Sequence, residues 1–234
     1  MNRGALLPEN AGDQRRSAAM LRRKITMNEN RTNGIDVSVY QGKIDFKKVK
    51  QSGIDFVIIK AGEKHSEHSS FLEDYNNAMD AGLHVGAYWF SRALSADDAR
   101  EEASYCIRTI SGKKFDYPIY FDMEKIEQFE KGKTVCSDMV DAFCSTLNKA
   151  GYLSGLYISR SPLQTYISDD IAKKYPLWIA EYSESGCHYD GDIGIWQHSC
   201  KGTCDGISGY VDLDYGYVDY PSYIIEHGLN GYGT

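Results

Sequence analysis

The chain contains no long apolar run. No stretch of its 234 residues approaches the roughly 20 apolar residues of a membrane-spanning helix, so no membrane insertion is expected. The net charge is −7, and nucleic acid is therefore not an expected partner. The chain also has no His-Glu-x-x-His, no Gly-x-Ser-x-Gly and no phosphate-binding glycine-rich loop. These absences disfavour zinc-protease, serine-hydrolase and P-loop chemistry.

Cysteine is present, but without a recognised metal-binding spacing. The first three, within or beside helical patterns, are predicted to be buried apolar groups: Cys106, Cys136 and Cys144. The last three cluster late in the chain: Cys187, Cys200 and Cys204. Their spacing matches no standard zinc pattern, so no metal site and no cofactor are predicted. One disulfide among the late group, or three free thiols, both remain open.

The N-terminal end is basic and polar. Residues 1–32 have no apolar core of the kind a Sec signal peptide requires, and we predict a disordered basic leader there. Met20 or Met27 is an alternative start, and a basic arm that contacts an anionic cell wall is the functional alternative. Residues 33–234 are predicted to form one folded domain.

The rest of the chain alternates between strand and helix patterns. Strands are predicted at Gly34–Ser38, Phe56–Gly62, His84–Phe90, Tyr117–Met123, Leu153–Ser159, Leu177–Tyr182, Ile193–His198 and Tyr210–Tyr217. Helices are predicted at Ile44–Gln51, Phe71–Ala81, Ser95–Ile110, Ser137–Ala150 and Pro162–Lys174, with none after Leu177. Five β–α units followed by three bare strands predict an α/β fold, an irregular TIM-like (β/α)5(β)3 barrel in a single domain. A doubly wound open sheet is the alternative.

Acidic residues end several of the predicted strands. Asp122 and Glu124, two residues apart, would project from one face of the fourth strand. Asp36 lies in the first strand, and Asp212 and Asp214 lie in the last. The first and last strands of a closed barrel are neighbours, so these acids are expected to meet at one rim. Paired carboxylates raise the pKa of one member, and glycosidic bond cleavage uses such a proton donor.

Aromatic and amide side chains accompany the acids. Tyr88, Tyr157 and Trp178 lie on predicted strands, and Gln197 follows a tryptophan in the seventh. Sugar rings stack their C–H faces on aromatic rings, and an amide binds hydroxyl or acetamido groups. Core packing is the competing explanation, because neighbouring strand residues face opposite sides.

These segments together resemble the glycoside hydrolase family 25 lysozymes, the Chalaropsis-type muramidases. The resemblance runs from about Asn33 to Tyr220, and no segment is diagnostic alone. It rests on Gly34-Ile35-Asp36-Val37-Ser38 with Tyr40-Gln41-Gly42, Phe56–Ala61, Gly86-Ala87-Tyr88-Trp89-Phe90, Phe121-Asp122-Met123-Glu124, Leu177–Tyr182, Ile195-Trp196-Gln197 and Gly209–Asp214. The chain has Trp89 where the family often has histidine, so any role of that histidine is absent here.

The resemblance implies an N-acetylmuramidase that hydrolyses the β-1,4 bond between N-acetylmuramic acid and N-acetylglucosamine. By this resemblance Glu124 is the general acid. Asp122 orients the substrate acetamido group or steadies the developing charge, and Asp36 and Asp212 are the other active-site acids. Substrate contacts are predicted from Tyr88, Trp178, Gln197, Tyr157 and Asp214. The expected partner is peptidoglycan, and the expected state is a monomer. A chitinase-like glycosidase and a non-catalytic glycan-binding barrel are the alternatives.

The expected place of action is the bacterial cell wall. Without a Sec signal the resemblance favours an endolysin-like enzyme, made in the cytoplasm and released by a holin-type or other non-classical route. An extracellular wall-remodelling enzyme is the alternative. We predict that the reaction retains the anomeric configuration, with the substrate acetamido carbonyl attacking the anomeric carbon. Inversion, with Asp36 or Asp122 as the base that activates water, is the alternative.

Overall fold

A computed structural model describes residues 31–233, so the leader predicted over residues 1–32 lies almost entirely outside the described residues. The strands are β1 Thr32–Val37, β2 Phe56–Glu63, β3 Ser66–Glu67, β4 His84–Phe90, β5 Ile119–Asp122, β6 Ser154–Ser159, β7 Leu177–Ala180, β8 Ile195–Gly202 and β9 Val211–Gly216. The helices are α1 Phe46–Gln51, α2 Phe71–Asp80, α3 Ala96–Ile110, α4 Ile126–Phe129, α5 Gly132–Lys149, α6 Arg160–Tyr166, α7 Asp169–Lys174 and α8 Tyr220–Glu226. A 3₁₀ turn, Val39–Gln41, follows β1.

Eight of these strands close into a barrel, because β1 pairs with both β2 and β9. The strands from β1 to β8 run parallel, through β2, β4, β5, β6 and β7. Among the eight barrel strands of the described residues, β9 alone runs antiparallel to its neighbours. The two-residue β3 pairs antiparallel with the end of β2. The predicted (β/α)5(β)3 barrel is confirmed, and the pairing of β1 with β2 rules out the open sheet.

Apolar side chains form two layers, one on each side of the strands. The outer layer lies between the strands and the helices and is mainly aliphatic. The inner layer fills the barrel with aromatic rings, among them Phe56, Tyr120 and Trp178. Space inside is limited: a Cβ on Gly34 would lie 2.1 Å from the ring of Phe56. A small residue is therefore required on β1 where the large ring enters from β2.

The prediction of no helix after Leu177 is wrong, because α8 follows β9. Asp219 caps this helix by accepting a hydrogen bond from the backbone of Ser222 at 3.0 Å. Tyr220 and Ile224 insert into the inner apolar layer, and Tyr220 packs edge-on against Tyr117 at 5.5 Å between ring centroids. The helix thus seals the end of the barrel opposite the acids.

Two predicted helices differ in extent. Helix α5 begins at Gly132, five residues before the predicted start at Ser137. The predicted helix Pro162–Lys174 is two helices, α6 and α7, because Ile167 and Ser168 adopt extended backbone conformations. Local periodicity did not reveal this break, since neither residue is a strong helix breaker.

The described residues also bear on the membrane, metal and disulfide expectations. Within residues 31–233, no helix combines the length and apolarity needed to cross a bilayer. The same residues contain no group of three or more histidine, cysteine or acidic side chains arranged to hold a metal ion. All six cysteines are free thiols, so the disulfide alternative is not present in this structure.

Candidate active site

The four acids predicted to be catalytic meet at one end of the barrel. Asp36 of β1 lies directly opposite Asp212 of β9 in the antiparallel register. Asp122 is the last residue of β5, and Glu124 follows two residues later, beyond the strand. Tyr88 points into the barrel beside them: burial, followed by the negative charges of all four acids, raises the pKa of its hydroxyl well above 10. The barrel closure therefore produces the expected cluster.

Asp122 and Glu124 differ sharply in their surroundings. Asp122 is buried, and burial and the neighbouring Glu124 raise the pKa of its carboxyl, while the ammonium group of Lys60 opposes the shift. Its Oδ1 atom accepts no hydrogen bond from any of residues 31–233. Glu124 is accessible to solvent, yet the barrel rim removes part of its hydration and raises its pKa. One carboxyl of the pair is thus buried, and the other faces solvent.

Beneath the rim lies a second acidic pair, Asp36 and Asp214. Asp214 is only 1% exposed, and its Oδ1 atom accepts a hydrogen bond from Trp178 Nε1 at 2.8 Å. Burial, together with the charge of Asp212, raises the pKa of Asp214 to about 8. Burial and the facing Asp214 carboxyl also raise the pKa of Asp36. Because two neighbouring buried carboxyls repel each other when both are ionised, the pair favours a state that keeps one proton.

Gln197 connects this pair to the groove through both ends of its amide. Its Nε2 atom donates to Asp36 Oδ2 at 2.7 Å. Its Oε1 atom accepts from the hydroxyls of Tyr157 and Tyr182, each at 2.9 Å. The Tyr157 hydroxyl also lies within hydrogen-bonding reach of Glu124. The amide therefore fixes the directions of two tyrosines and one carboxyl.

A cationic side chain that the sequence analysis did not assign lies beside Asp122. Lys60 ends the apolar segment of β2, is buried, and pairs with Glu63 at 2.8 Å. Glu63 also pairs with Arg92 at 2.6 Å. A lysine within an otherwise apolar strand was the available signal, since a buried ammonium group requires a carboxylate partner.

Most of the predicted substrate-contact residues lie below the groove surface. Trp178, Gln197 and Asp214 are almost fully buried and hydrogen-bond to protein groups, and Tyr157 is also buried. Tyr88 is partly exposed at the centre of the acids. Tyr182, which is 56% exposed, is a surface residue near the acids that the sequence patterns did not indicate.

Trp89 occupies the position that differs from the family pattern, but it faces away from the acids. Its ring is fully buried in the outer apolar layer, and its Nε1 atom donates to the backbone oxygen of Lys64 at 3.2 Å. Because successive strand residues face opposite sides, the substitution leaves Tyr88 pointing into the barrel.

A cluster of carboxyl groups at one rim of the barrel, where most of the parallel strands have their carboxyl ends, defines a class of site built for acid–base chemistry. Residues 35–207 match the profile of Glycosyl hydrolases family 25. The chain is 35% identical over 188 residues to an autolytic lysozyme of Clostridium acetobutylicum, a match covering 77% of this chain and 54% of that protein. The chain belongs to glycosyl hydrolases family 25.

Solved structures agree with this assignment. A bacterial lysozyme from Streptomyces coelicolor superposes with a TM-score of 0.75 at 26% identity, covering 88% of this chain and all of that one. The CTP1L endolysin superposes with a TM-score of 0.74 at 27% identity, covering 83% of this chain and 70% of that one. The chain spans about half the length of the clostridial autolytic lysozyme. Asp212 lies beyond the matched residues, and its position opposite Asp36 is an independent observation.

Proposed function

We propose that this protein is a lysozyme that hydrolyses the β-1,4 bond between N-acetylmuramic acid and N-acetylglucosamine in bacterial peptidoglycan. The observation that carries the proposal is the pairing of a buried carboxyl, Asp122, with an accessible one, Glu124, at the rim of a family 25 barrel. The names of an autolytic lysozyme and an endolysin among the similar proteins support the same substrate class.

Glu124 is the proton donor in this proposal. Its carboxyl reaches the groove, and its raised pKa favours the protonated form that a general acid requires. The proton passes to the glycosidic oxygen as the bond from that oxygen to the anomeric carbon breaks. The resulting carboxylate then removes a proton from the water that completes hydrolysis, which restores the starting state of Glu124.

Asp122 acts on the acetamido group of the substrate. Its buried Oδ1 atom has no hydrogen-bond partner among the described residues and is suited to accept a hydrogen bond from an amide N–H. That hydrogen bond would turn the carbonyl oxygen of the acetamido group toward the anomeric carbon, where it attacks and forms a cyclic intermediate. Attack by water then opens the ring with net retention of configuration.

Tyr157 can serve both protonation states of Glu124. The hydroxyl has one proton: when the proton points to Gln197, the oxygen can accept a hydrogen bond from protonated Glu124. When Glu124 becomes a carboxylate, the hydroxyl can rotate to donate to it. The Oε1 atom of Gln197 accepts a hydrogen bond in both states, because the Tyr182 hydroxyl also donates to it. Tyr157 and Gln197 are therefore proposed as positioning residues.

Asp36 and Asp212 form the opposite side of the cleavage point. Burial and the charge of Glu124 raise the pKa of Asp212 to about 6. Repulsion among the negative charges of Asp36, Asp212 and Asp122 favours a state in which one carboxyl of the cluster keeps its proton. Acid catalysis requires such a protonated carboxyl. Tyr88, in the midst of the acids, is proposed to contact the sugar at this point.

The test is turnover of purified peptidoglycan by the wild type and by Glu124→Gln. General acid–base assistance contributes about 10²–10⁴ in rate, so the variant should lose at least a hundredfold while keeping its circular dichroism spectrum. Full activity of the variant would contradict the assignment. Rapid cleavage of a chitin oligomer with no action on peptidoglycan would favour a chitinase-like enzyme, and binding without turnover would favour a glycan-binding barrel.

Proton NMR of the first product addresses the stereochemistry. An initial β-anomer supports participation of the acetamido group, with Asp122 as its orienting partner. An initial α-anomer would instead indicate direct attack by water, with Asp36 or Asp122 as the base.

In the cell, we propose that the protein acts as a monomer on the bacterial wall and does not bind nucleic acid. It would reach the wall by holin-type or other non-classical release, or else act as an extracellular enzyme.

A further inference from the structure

Exposed apolar side chains concentrate at the acidic end of the barrel. Within residues 31–233, six of the eight large exposed ones lie in connections that open onto this end: Val39, Tyr40, Leu94, Ile126, Tyr182 and Tyr210. Leu72 lies in the first turn of α2, and Ile225 lies on α8 at the sealed end. Single exposed apolar residues are ordinary, but this distribution is one-sided and favours the end of the barrel that carries the acids.

Tyr40 is the most exposed of these residues, at 89%, although its backbone is firmly held. The Ser38 N–H donates to Gln41 Oε1 at 2.8 Å, which closes the short turn that carries the ring. The Val39 N–H donates to His68 Nε2 at 2.9 Å and ties the same turn to the segment after β3. An ordered turn that leaves an aromatic ring in water has apolar area available for a ligand.

Tyr210 belongs to the same rim. It directly precedes β9 and is 66% exposed, and its backbone oxygen accepts a hydrogen bond from Gln41 Nε2 at 3.4 Å. The strand pair below these two segments carries Asp36 and Asp212 in direct register. The two tyrosines therefore stand at the rim immediately beside one half of the acid cluster.

We propose that Tyr40 and Tyr210 form a stacking edge that binds a hexosamine ring of the peptidoglycan strand, beyond the two sugars that flank the cleaved bond. The proposal rests on the function proposed above and extends the groove on the side of Asp36. Tyrosine suits this role because its ring offers an apolar face to sugar C–H groups and its hydroxyl can bond to sugar hydroxyls. Two uncharged side chains favour the neutral part of a sugar over a charged peptide stem.

The experiment compares long and short glycans. The substrates are peptide-free glycan strands prepared from peptidoglycan and the shortest oligosaccharide that the wild type cleaves. The proteins are wild type, Tyr40→Ala, Tyr210→Ala, the double alanine variant, and the double phenylalanine variant, which keeps both rings. Ile225→Ala, an exposed apolar residue at the opposite end, is the matched control.

We expect KM for long strands to rise about fivefold or more in the double alanine variant, since a buried aromatic contact at an interface typically contributes at least that much. Its kcat/KM for the shortest oligosaccharide should stay within about twofold of wild type, and the phenylalanine pair should restore most of the binding to long strands. Equal losses on both substrates would place the tyrosines in the cleavage step and overturn the proposal. Unchanged kinetics on both would also overturn it, whereas a wild type inactive on every glycan would refute the proposed function instead.

Discussion

Asp214→Asn tests whether the buried acidic pair is kept at the expense of stability. Asp214 is fully enclosed, and its pKa rises from 3.8 to about 8 through burial and the charge of Asp212. The folded chain therefore binds this proton more tightly than the unfolded chain does. The stabilisation that the protonated Asp214 carboxyl contributes is fully present below pH 4 and is lost as the pH rises toward 8. Asparagine removes the titration, keeps an oxygen for Trp178, and offers an N–H to Asp36.

The size of the effect follows from the span of pH. One pKa unit corresponds to about 1.4 kcal/mol, and pH 7 lies about three units above the ordinary pKa of aspartate. The upper bound is therefore about 4 kcal/mol at pH 7, and sharing of the proton with Asp36 lowers the expected gain to about 2–4 kcal/mol. For a domain of this size that gain raises Tm by roughly 5–15 °C.

The assay is thermal unfolding of wild type and variant between pH 5 and pH 8. The difference in Tm should be small at pH 5 and should grow steadily to pH 8. The exposed Asp192→Asn supplies the surface control, for which no such growth is expected. A Tm difference that is independent of pH, or a variant less stable than wild type at pH 8, would refute the account of the buried pair.

Two further predictions concern the sealed end of the barrel and the proton donor. Gly194→Ala should destabilise the fold by about 1–3 kcal/mol in urea unfolding, because the new Cβ would lie 1.9 Å from the hydroxyl oxygen of Tyr220. An unaffected midpoint would show that α8 does not seal the barrel. Tyr157→Phe removes a hydroxyl that lowers the pKa of Glu124, so the alkaline limb of kcat/KM against pH should move to higher pH while kcat falls about tenfold or more. An unchanged pH profile would limit Tyr157 to packing.

The barrel was predictable because its evidence is local and repeated. Each strand pattern ends in turn residues, and glycines follow several helices, so the alternation of elements could be read along the chain. The meeting of Asp36 with Asp212 needed one additional inference, that an eight-strand sheet closes. The register of β1 with β9 confirms that inference.

Other features depend on contacts between distant segments. Helix α8 is short, and its two buried residues gain their stability from the barrel interior rather than from a periodic pattern. The burial of Trp178 and Asp214 follows from the inward direction of their strands and from one hydrogen bond across the barrel. The exposure of Tyr40 could not be predicted from the sequence either, since an aromatic residue in a turn can pack inward or face water.

Mass spectrometry of the new reducing ends tests the central claim most directly. Purified peptidoglycan is digested with wild type or with Glu124→Gln, reduced with borohydride, and separated into soluble fragments. Wild type is expected to release fragments whose reduced terminal sugar is N-acetylmuramic acid, and Glu124→Gln is expected to release almost none. Fragments ending in reduced N-acetylglucosamine, or equal release by the two proteins, would contradict the claim.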